Sequence, residues 1–164
     1  METLHAPWRI SYILGPKSPV NDQSLFTRIG QSDQDEANYV IARRKSCYAL
    51  LNAYPYNAGH VMVVPYKQVA DFDGLTEEEL LELMLLLREC QAAIRVVMRP
   101  HGFNVGVNLG TVAGAGIVEH LHVHIVPRWS GDVNFMPMIG ATAVIPEALL
   151  DTAAKLRAAM ARTQ

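Results

Sequence analysis

Three of the six histidines in this chain stand at alternate positions in the segment "EHLHVHIVPRW", as His120, His122 and His124. Alternate side chains of a strand point to the same face, so the three imidazoles are expected to share one face of a strand, with apolar residues on the other. Same-face neighbours lie roughly 6.5–7 Å apart along the backbone. Two adjacent imidazoles could therefore act on one group, as metal ligands, as a nucleophile or as a proton donor.

The metal interpretation rests on the His-x-His spacing, because imidazole is a common ligand of zinc, copper and iron. A third or fourth ligand would be needed. Glu119 is expected on the opposite face, and His60 is remote in sequence. The spacing alone leaves a metal site open.

A glycine-rich segment, "GTVAGAGIVEH", leads directly into the histidines, with Gly110, Gly114 and Gly116. Such a loop lets backbone N–H groups converge on an anion, although most glycine-rich loops are plain turns. Joined to a histidine strand, it would place a phosphate beside an imidazole. A neutral imidazole nitrogen can attack phosphorus to give a phosphoramidate, while a neighbouring imidazole protonates the leaving group.

The elements that must position these residues are predicted by pattern. "YVIARRKSCYALLNAYP" reads as two strands joined by the turn Arg43–Ser46, and His60–Pro65 reads as a third. A long helix is expected from Thr76, which forms a capping box with Glu79. "FNVGVNLG" and "HLHVHIVP" read as strands, and Pro146–Arg162 as a second helix. This order predicts an α+β fold with a mainly antiparallel sheet.

Composition excludes some classes of partner. The 164 residues suit one domain, and 14 basic against 16 acidic residues give a net charge of −2. That balance predicts neither nucleic acid nor a membrane as partner. Cys47 and Cys90 are expected to be buried thiols in a reducing compartment. With no leader pattern at the start and no uninterrupted apolar span, a cytoplasmic setting is expected.

These segments together resemble the histidine triad (HIT) superfamily of nucleotide hydrolases and transferases. "HLHVHIVP" is similar to the family motif, "LFTRI" to its base-pocket segment, "LLNAYPYNAGHVMVVP" to its ribose-binding strand, and "NVGVNLGTVAGAG" to its phosphate loop. The resemblance covers roughly residues 24–135. "APWRISYI" and "HIVPRWSGDVNFMP" resemble the bacterial diadenosine tetraphosphate phosphorylase branch and the fragile-histidine-triad dinucleotide hydrolases. The 40 residues after His124 also favour the dinucleotide-cleaving branches.

The resemblance implies a HIT-like fold, with a five-stranded sheet, one long helix and a C-terminal helix. Residues 1–164 would form one domain, with an N-terminal arm at 1–20 and a C-terminal extension at 136–164 containing the helix. Family members form homodimers by extending the sheet. The implied ligand is a small nucleotide, with adenine expected as its base. No cofactor is required by the protein, and Mg²⁺ would enter only with the substrate.

The resemblance also assigns roles to matched residues. His122 would attack the α-phosphorus, His124 would assist the leaving group, and the backbone carbonyl of His120 would select the tautomer of His122. Asn108 would lie near the scissile phosphate. The expected nucleotide-binding residues are Asn52 for the ribose, Gly114, Ala115 and Gly116 for phosphate, Leu25, Phe26, Ile29 and Leu50 for the base, and Trp129 as a candidate stacking residue.

Some positions depart from the family pattern or have a structural interpretation. Many members hold a structural zinc with a Cys-x-x-Cys pair, but Ser24 and Thr27 stand there, so no metal is expected. Gly116 and Ile117 lack the phosphate-contacting side chains of some relatives. Asn52 alone could simply cap a turn. His60 is interpreted as bonding locally, and the basic turn at 43–45 as solvated.

The expected function is therefore that of an enzyme that cleaves dinucleoside polyphosphates, of the diadenosine tri- or tetraphosphate type, through a nucleotidyl-His122 intermediate. Two alternatives remain. One is a phosphoramidase that cleaves nucleoside–amine bonds. The other is a nucleotide-binding module with incidental turnover.

Overall fold

The computed structural model describes residues 23–132 and 147–162. The predicted N-terminal arm and part of the predicted C-terminal extension lie outside these ranges. The strands and helices, labelled in chain order, are α1 (Leu25–Gln31), β1 (Val40–Arg43), β2 (Cys47–Leu51), β3 (Val61–Pro65), α2 (Glu77–Met98), β4 (Gly102–Val107), β5 (Val123–Arg128) and α3 (Leu149–Ala161), with a 3₁₀ turn at Phe72–Gly74. No helix in the described ranges is long and apolar enough to cross a membrane.

The five strands form one antiparallel sheet in the order β1-β2-β3-β5-β4. The predicted α+β class is confirmed. Strand β5 lies between β3 and β4, and His124 stands opposite Met62 on one side and Gly106 on the other. The end of the triad segment is therefore held by paired strands on both sides.

The two faces of the sheet carry different apolar clusters. Cys47, Ala49 and Leu51 of β2 join the main core beneath α2 and α3, whereas Tyr48 and Leu50 belong to a smaller cluster with Phe26 of α1. This division follows from the alternation of side chains along a strand. Val123 and Ile125 of β5 join the main core, so the imidazoles lie on the opposite face.

Helix α2 begins where the capping box predicts. The Thr76 hydroxyl accepts a hydrogen bond from the Glu79 N–H, and the Glu79 carboxylate accepts from the Thr76 N–H. These two bonds satisfy amides that the first turn would otherwise leave unpaired. The helix ends at Met98, before Arg99 adopts the left-handed conformation with φ 51°.

Two sequence interpretations change in the structure. Strand β5 begins at Val123, so His120 and His122 precede the paired strand, although Leu121 between them still joins the main core. The solvated interpretation of Arg43 is wrong. Its guanidinium donates to the carbonyls of residues 29, 30 and 32 and to the Asp35 carboxylate. It therefore anchors the C-terminal end of α1.

Candidate functional site

A cavity of about 260 Å³ opens on the face of the sheet that carries the imidazoles. Most of the predicted site residues line it. The apolar ones are Leu25, Phe26, Ile29 and Leu50, and the others are Asn52, Asn108, Gly114, Gly116, His122 and His124. His120, Ala115 and Trp129 lie outside the lining. Met62 and the segment 37–39 also line the cavity and were not predicted from the sequence; Ile117, another lining residue, was named only as a departure from the family pattern.

The tautomer of His122 follows from one hydrogen bond. Its Nδ1 lies 2.8 Å from the carbonyl oxygen of His120. Since a carbonyl can only accept, Nδ1 carries the proton and Nε2 keeps its lone pair. Burial lowers the pKa of His122 below its ordinary value of 6.5, against the opposing effect of this hydrogen bond. His122 is thus a neutral imidazole with an unprotonated nitrogen at a cavity.

His120 is a buried anchor rather than a cavity residue. Its Nε2–H donates to the carbonyl of Pro65 at 2.8 Å, and its Nδ1 accepts from the Ser24 hydroxyl at 2.5 Å. Burial lowers its pKa as well. The ring of Phe26 packs against both His120 and His122, at centroid distances of 5.6 and 5.0 Å. These contacts hold the His120 carbonyl in the position where it accepts the hydrogen bond from Nδ1 of His122.

The hydroxyls at the Cys-x-x-Cys positions form hydrogen bonds that a zinc ion would disrupt. Ser24 caps α1 by accepting from the Thr27 N–H, and both residues bond the Gln68 side-chain oxygen. A contact of 2.5 Å between Ser24 and His120 leaves no space for an ion between them. Neutral hydroxyls are also poor substitutes for zinc-binding thiolates. This donor set therefore does not fit a structural zinc.

His60 contacts the triad, which corrects its interpretation as a residue with only local bonds. Its Nδ1 accepts from the Tyr56 N–H at 3.1 Å, so its proton is on Nε2, which lies 2.9 Å from Nδ1 of His124. His124 consequently accepts at Nδ1 and carries its own proton on Nε2 when neutral. The sequence signal was weak. His60 directly precedes β3, the strand that pairs with β5.

The two predicted asparagines differ in how they are held. The Asn52 side-chain oxygen accepts from the Tyr54 N–H at 2.9 Å, so Asn52 does form the turn contact that its simpler interpretation required. It also lines the cavity. Asn108 is half-buried at the end of β4, and its amide nitrogen lies 3.5 Å from the carbonyl of Gly114. Both therefore combine a structural contact with a place at the site.

The glycine loop uses some of its amides internally. The N–H groups of Gly114 and Ala115 donate to carbonyls of residues 111 and 110. Within residues 23–132 and 147–162, no acceptor faces the N–H groups of Gly116 or Ile117. Gly110 and Gly114 have φ of +80° and +88°, where a side chain would be strained. The amides best placed for an anion are thus those of Gly116 and Ile117.

The segment after β5 is locked by Asp132. Its carboxylate accepts from the Arg128 guanidinium, the Trp129 N–H and the Asn57 amide. The Arg128 hydrogen bond is the main cause that lowers the pKa of Asp132 to about 2. This network ties Trp129 to the turn before β3. It does not bring Trp129 to the cavity.

The described residues of the cavity lining include none of the four charged residue types Lys, Arg, Asp and Glu. In the same part of the chain, no group of three or more His, Cys, Asp or Glu side chains is arranged to hold a metal ion. The polar groups at the cavity are imidazoles, amides, tyrosine hydroxyls and backbone N–H groups, and such groups can bind an anion without a fixed positive charge.

The sequence model of the HIT domain matches residues 33–131. This chain belongs to the HIT domain family. It is 47% identical to the AP-4-A phosphorylase of Mycobacterium tuberculosis, over 99% of this chain and 86% of that relative. It is 38% identical to the asymmetrical bis(5'-nucleosyl)-tetraphosphatase of Schizosaccharomyces pombe, over 58% of this chain and 52% of the relative. A Zn-bound histidine triad protein from Mycobacterium smegmatis shares the fold, with a TM-score of 0.68 and 22% identity, over 87% of this chain and 96% of that one.

Proposed function

We propose that this HIT protein is an enzyme that cleaves dinucleoside polyphosphates at the α-phosphate, through a covalent nucleotidyl-His122 intermediate. The observation that carries the proposal is the Nδ1 hydrogen bond of His122 to the His120 carbonyl, which leaves the Nε2 lone pair at the cavity. The similarity to an AP-4-A phosphorylase over nearly the whole chain supports the class of substrate.

In the first step, Nε2 of His122 forms a bond to the α-phosphorus, and the bond from that phosphorus to the bridging oxygen breaks. The developing imidazolium keeps its Nδ1–H bond to the His120 carbonyl, which stabilises the positive charge. His124, protonated on Nε2, donates a hydrogen bond to the leaving oxygen, which departs as a phosphate anion. In the second step, water or phosphate forms a bond to the phosphorus, the bond from that phosphorus to Nε2 breaks, and His122 leaves as a neutral imidazole; a proton lost by attacking water passes to solvent.

The substrate would be bound by three kinds of contact. The apolar residues Leu25, Ile29 and Leu50 would enclose the base, and Asn52 would bind the ribose. The N–H groups of Gly116 and Ile117, with Asn108, would bind the phosphate. Because no lysine or arginine in the described residues lines the cavity, we expect Mg²⁺ carried by the polyphosphate to neutralise its distal charge.

The test replaces the nucleophile. His122→Ala and His122→Gly should lose turnover of diadenosine tri- and tetraphosphate by at least about a thousandfold, since nucleophile removal typically costs this much. His101→Ala is the matched control, because His101 is exposed and outside the cavity lining. Intact-mass measurement during turnover should detect an adduct of one nucleoside monophosphate on the wild-type protein only. Wild-type rates in both His122 variants would refute the proposal.

The reaction products identify the molecule that accepts the nucleotidyl group from His122. Release of ADP and ATP from diadenosine tetraphosphate, dependent on added phosphate, would identify a phosphorylase. Release of AMP and ATP without phosphate would identify a hydrolase. The identity to an AP-4-A phosphorylase supports the first outcome.

We further propose a homodimer that extends the sheet across β4. This strand lies at the edge of the sheet, pairs only with β5 among the described strands, and exposes Val105. Helix α2 also exposes Leu81 and Met84. Sedimentation should give twice the monomer mass, and Val105→Lys should shift it to the monomer. The expected cytoplasmic setting stays a prediction from the sequence.

A further inference from the structure

One polar side chain of the cavity lining is unexplained by the proposed chemistry. Asn38 lies in the segment between α1 and β1 and lines the same cavity as the apolar residues of α1. Its amide nitrogen donates to the Gln34 carbonyl and to the Ser32 hydroxyl, both at 3.0 Å. Since the Gln34 carbonyl can only accept, the amide orientation is determined. Both N–H bonds of Asn38 are thus used inside its own loop.

The side-chain oxygen of Asn38 is therefore the atom of this side chain that can accept a hydrogen bond from a ligand. No donor from residues 23–132 or 147–162 reaches this oxygen. The side chain is half-buried, where an acceptor gains from being paired. A ligand that presents an N–H group to this part of the cavity would satisfy it.

The loop that carries Asn38 is held from two sides. Arg157 of α3 donates to the carbonyls of Val40 at 2.7 Å and Asp35 at 3.1 Å. Arg43 forms an ion pair with the Asp35 carboxylate at 2.7 Å. Tyr39, which follows Asn38, has a φ of 55°, a conformation that needs such support. An acceptor held this firmly discriminates between ligands better than a mobile one, because little ordering is needed on binding.

We propose that Asn38 determines base specificity, selecting a base with an exocyclic amino group, as adenine has, over one with an oxo group at that position, as hypoxanthine has. The inference rests on the proposed function, because it takes the apolar part of the cavity as the base site. An amino group donates a hydrogen bond to the Asn38 oxygen. An oxo group in its place sets two acceptors against each other and leaves both unpaired.

The experiment measures binding rather than turnover. Calorimetry on the full chain gives the Kd of AMP, of IMP and of purine riboside 5'-monophosphate, which carries hydrogen in place of the amino group. We expect AMP to bind about five- to tenfold more tightly than either, the discrimination one hydrogen bond provides. Asn38→Ala should bring the three Kd values together, mainly by weakening AMP. Gln34→Ala is the control, since the contact of Gln34 with the Asn38 amide is made by its backbone carbonyl, which the substitution keeps.

Several results would overturn the inference. The wild-type protein could bind AMP no more tightly than purine riboside monophosphate, a comparison that needs no variant. Asn38→Ala could weaken all three ligands equally, which would show a role in the loop alone, or it could leave the AMP preference intact. Failure to bind any of them would also refute it. Absence of dinucleotide cleavage would refute the proposed function, yet the Kd ratio would still decide the role of Asn38.

Discussion

The hydrogen bond from His60 to His124 predicts that a residue outside the triad controls the leaving group. In the wild-type protein His60 donates from Nε2, so neutral His124 must carry its proton on Nε2. His60→Ala removes the donor, and the proton of His124 can then occupy either nitrogen. His60→Gln places an amide N–H near the former Nε2 position. This variant should restore most of the preference for the proton on Nε2 of His124, although it loses the hydrogen bond from the Tyr56 N–H.

The expected changes in kcat and in the free energy of unfolding follow from the loss of one hydrogen bond and from the space that the His60→Ala truncation leaves. A neutral hydrogen bond of about 1 kcal/mol favours the productive tautomer about fivefold. Without it the proton is shared between the two nitrogens, so about half of the molecules are productive and kcat on diadenosine tetraphosphate should fall about twofold. His60 is fully buried, so truncation to alanine should also lower the free energy of unfolding by about 3 kcal/mol. Chemical denaturation measures the second effect and allows both to be compared at a temperature where the variant is folded.

A second substrate separates the hydrogen bond that His124 donates to the leaving group from general damage. Adenosine 5'-phosphorofluoridate has fluorine, a weak hydrogen-bond acceptor when bonded to phosphorus, in place of the bridging oxygen, so His60→Ala should slow its cleavage less than that of diadenosine tetraphosphate. Equal loss on both substrates, together with no recovery in His60→Gln, would refute the assigned tautomer and leave His60 a packing residue.

Three further predictions follow from burial in and around the site. His120 and His122 have pKa values lowered below 6.5, so both imidazoles stay neutral in the folded protein at a pH where they bind protons in the unfolded chain. The free energy of unfolding should therefore fall as the pH drops below about 6.5. A loss of kcat/KM on acidification that begins at or above that pH would contradict the lowered pKa values. Ser24→Ala removes a buried hydrogen bond and a helix cap, and it should lower the free energy of unfolding by about 2–3 kcal/mol. The control Ser130→Ala removes an exposed hydroxyl–imidazole contact and should lower it by less than about 0.5 kcal/mol. Similar melting temperatures for the two variants would refute this expectation. Leu86→Ala in the main core should cost about 2–5 kcal/mol with little change in kcat, and a large loss of kcat at a temperature where it is folded would contradict a purely structural role.

Local patterns were sufficient for the elements that depend on neighbours in the chain. The capping box and apolar stripe of α2 lie within a few residues of one another, so its start could be predicted. The alternation of His120, Leu121 and His122 likewise predicted which side chains enter the core. The glycine loop predicted a candidate anion site, and its conformation depends on the glycines themselves.

The contacts that give the imidazoles different roles join residues distant in sequence. His60 meets His124 because β3 and β5 pair with Met62 opposite His124, and no local pattern specifies that register. Ser24 reaches His120 only once α1 covers the sheet. The orientation of Asn38 likewise depends on a loop held by the C-terminal helix. Each is a long-range hydrogen bond whose partners are chosen by packing, so the tautomers and the proposed base specificity required the tertiary structure.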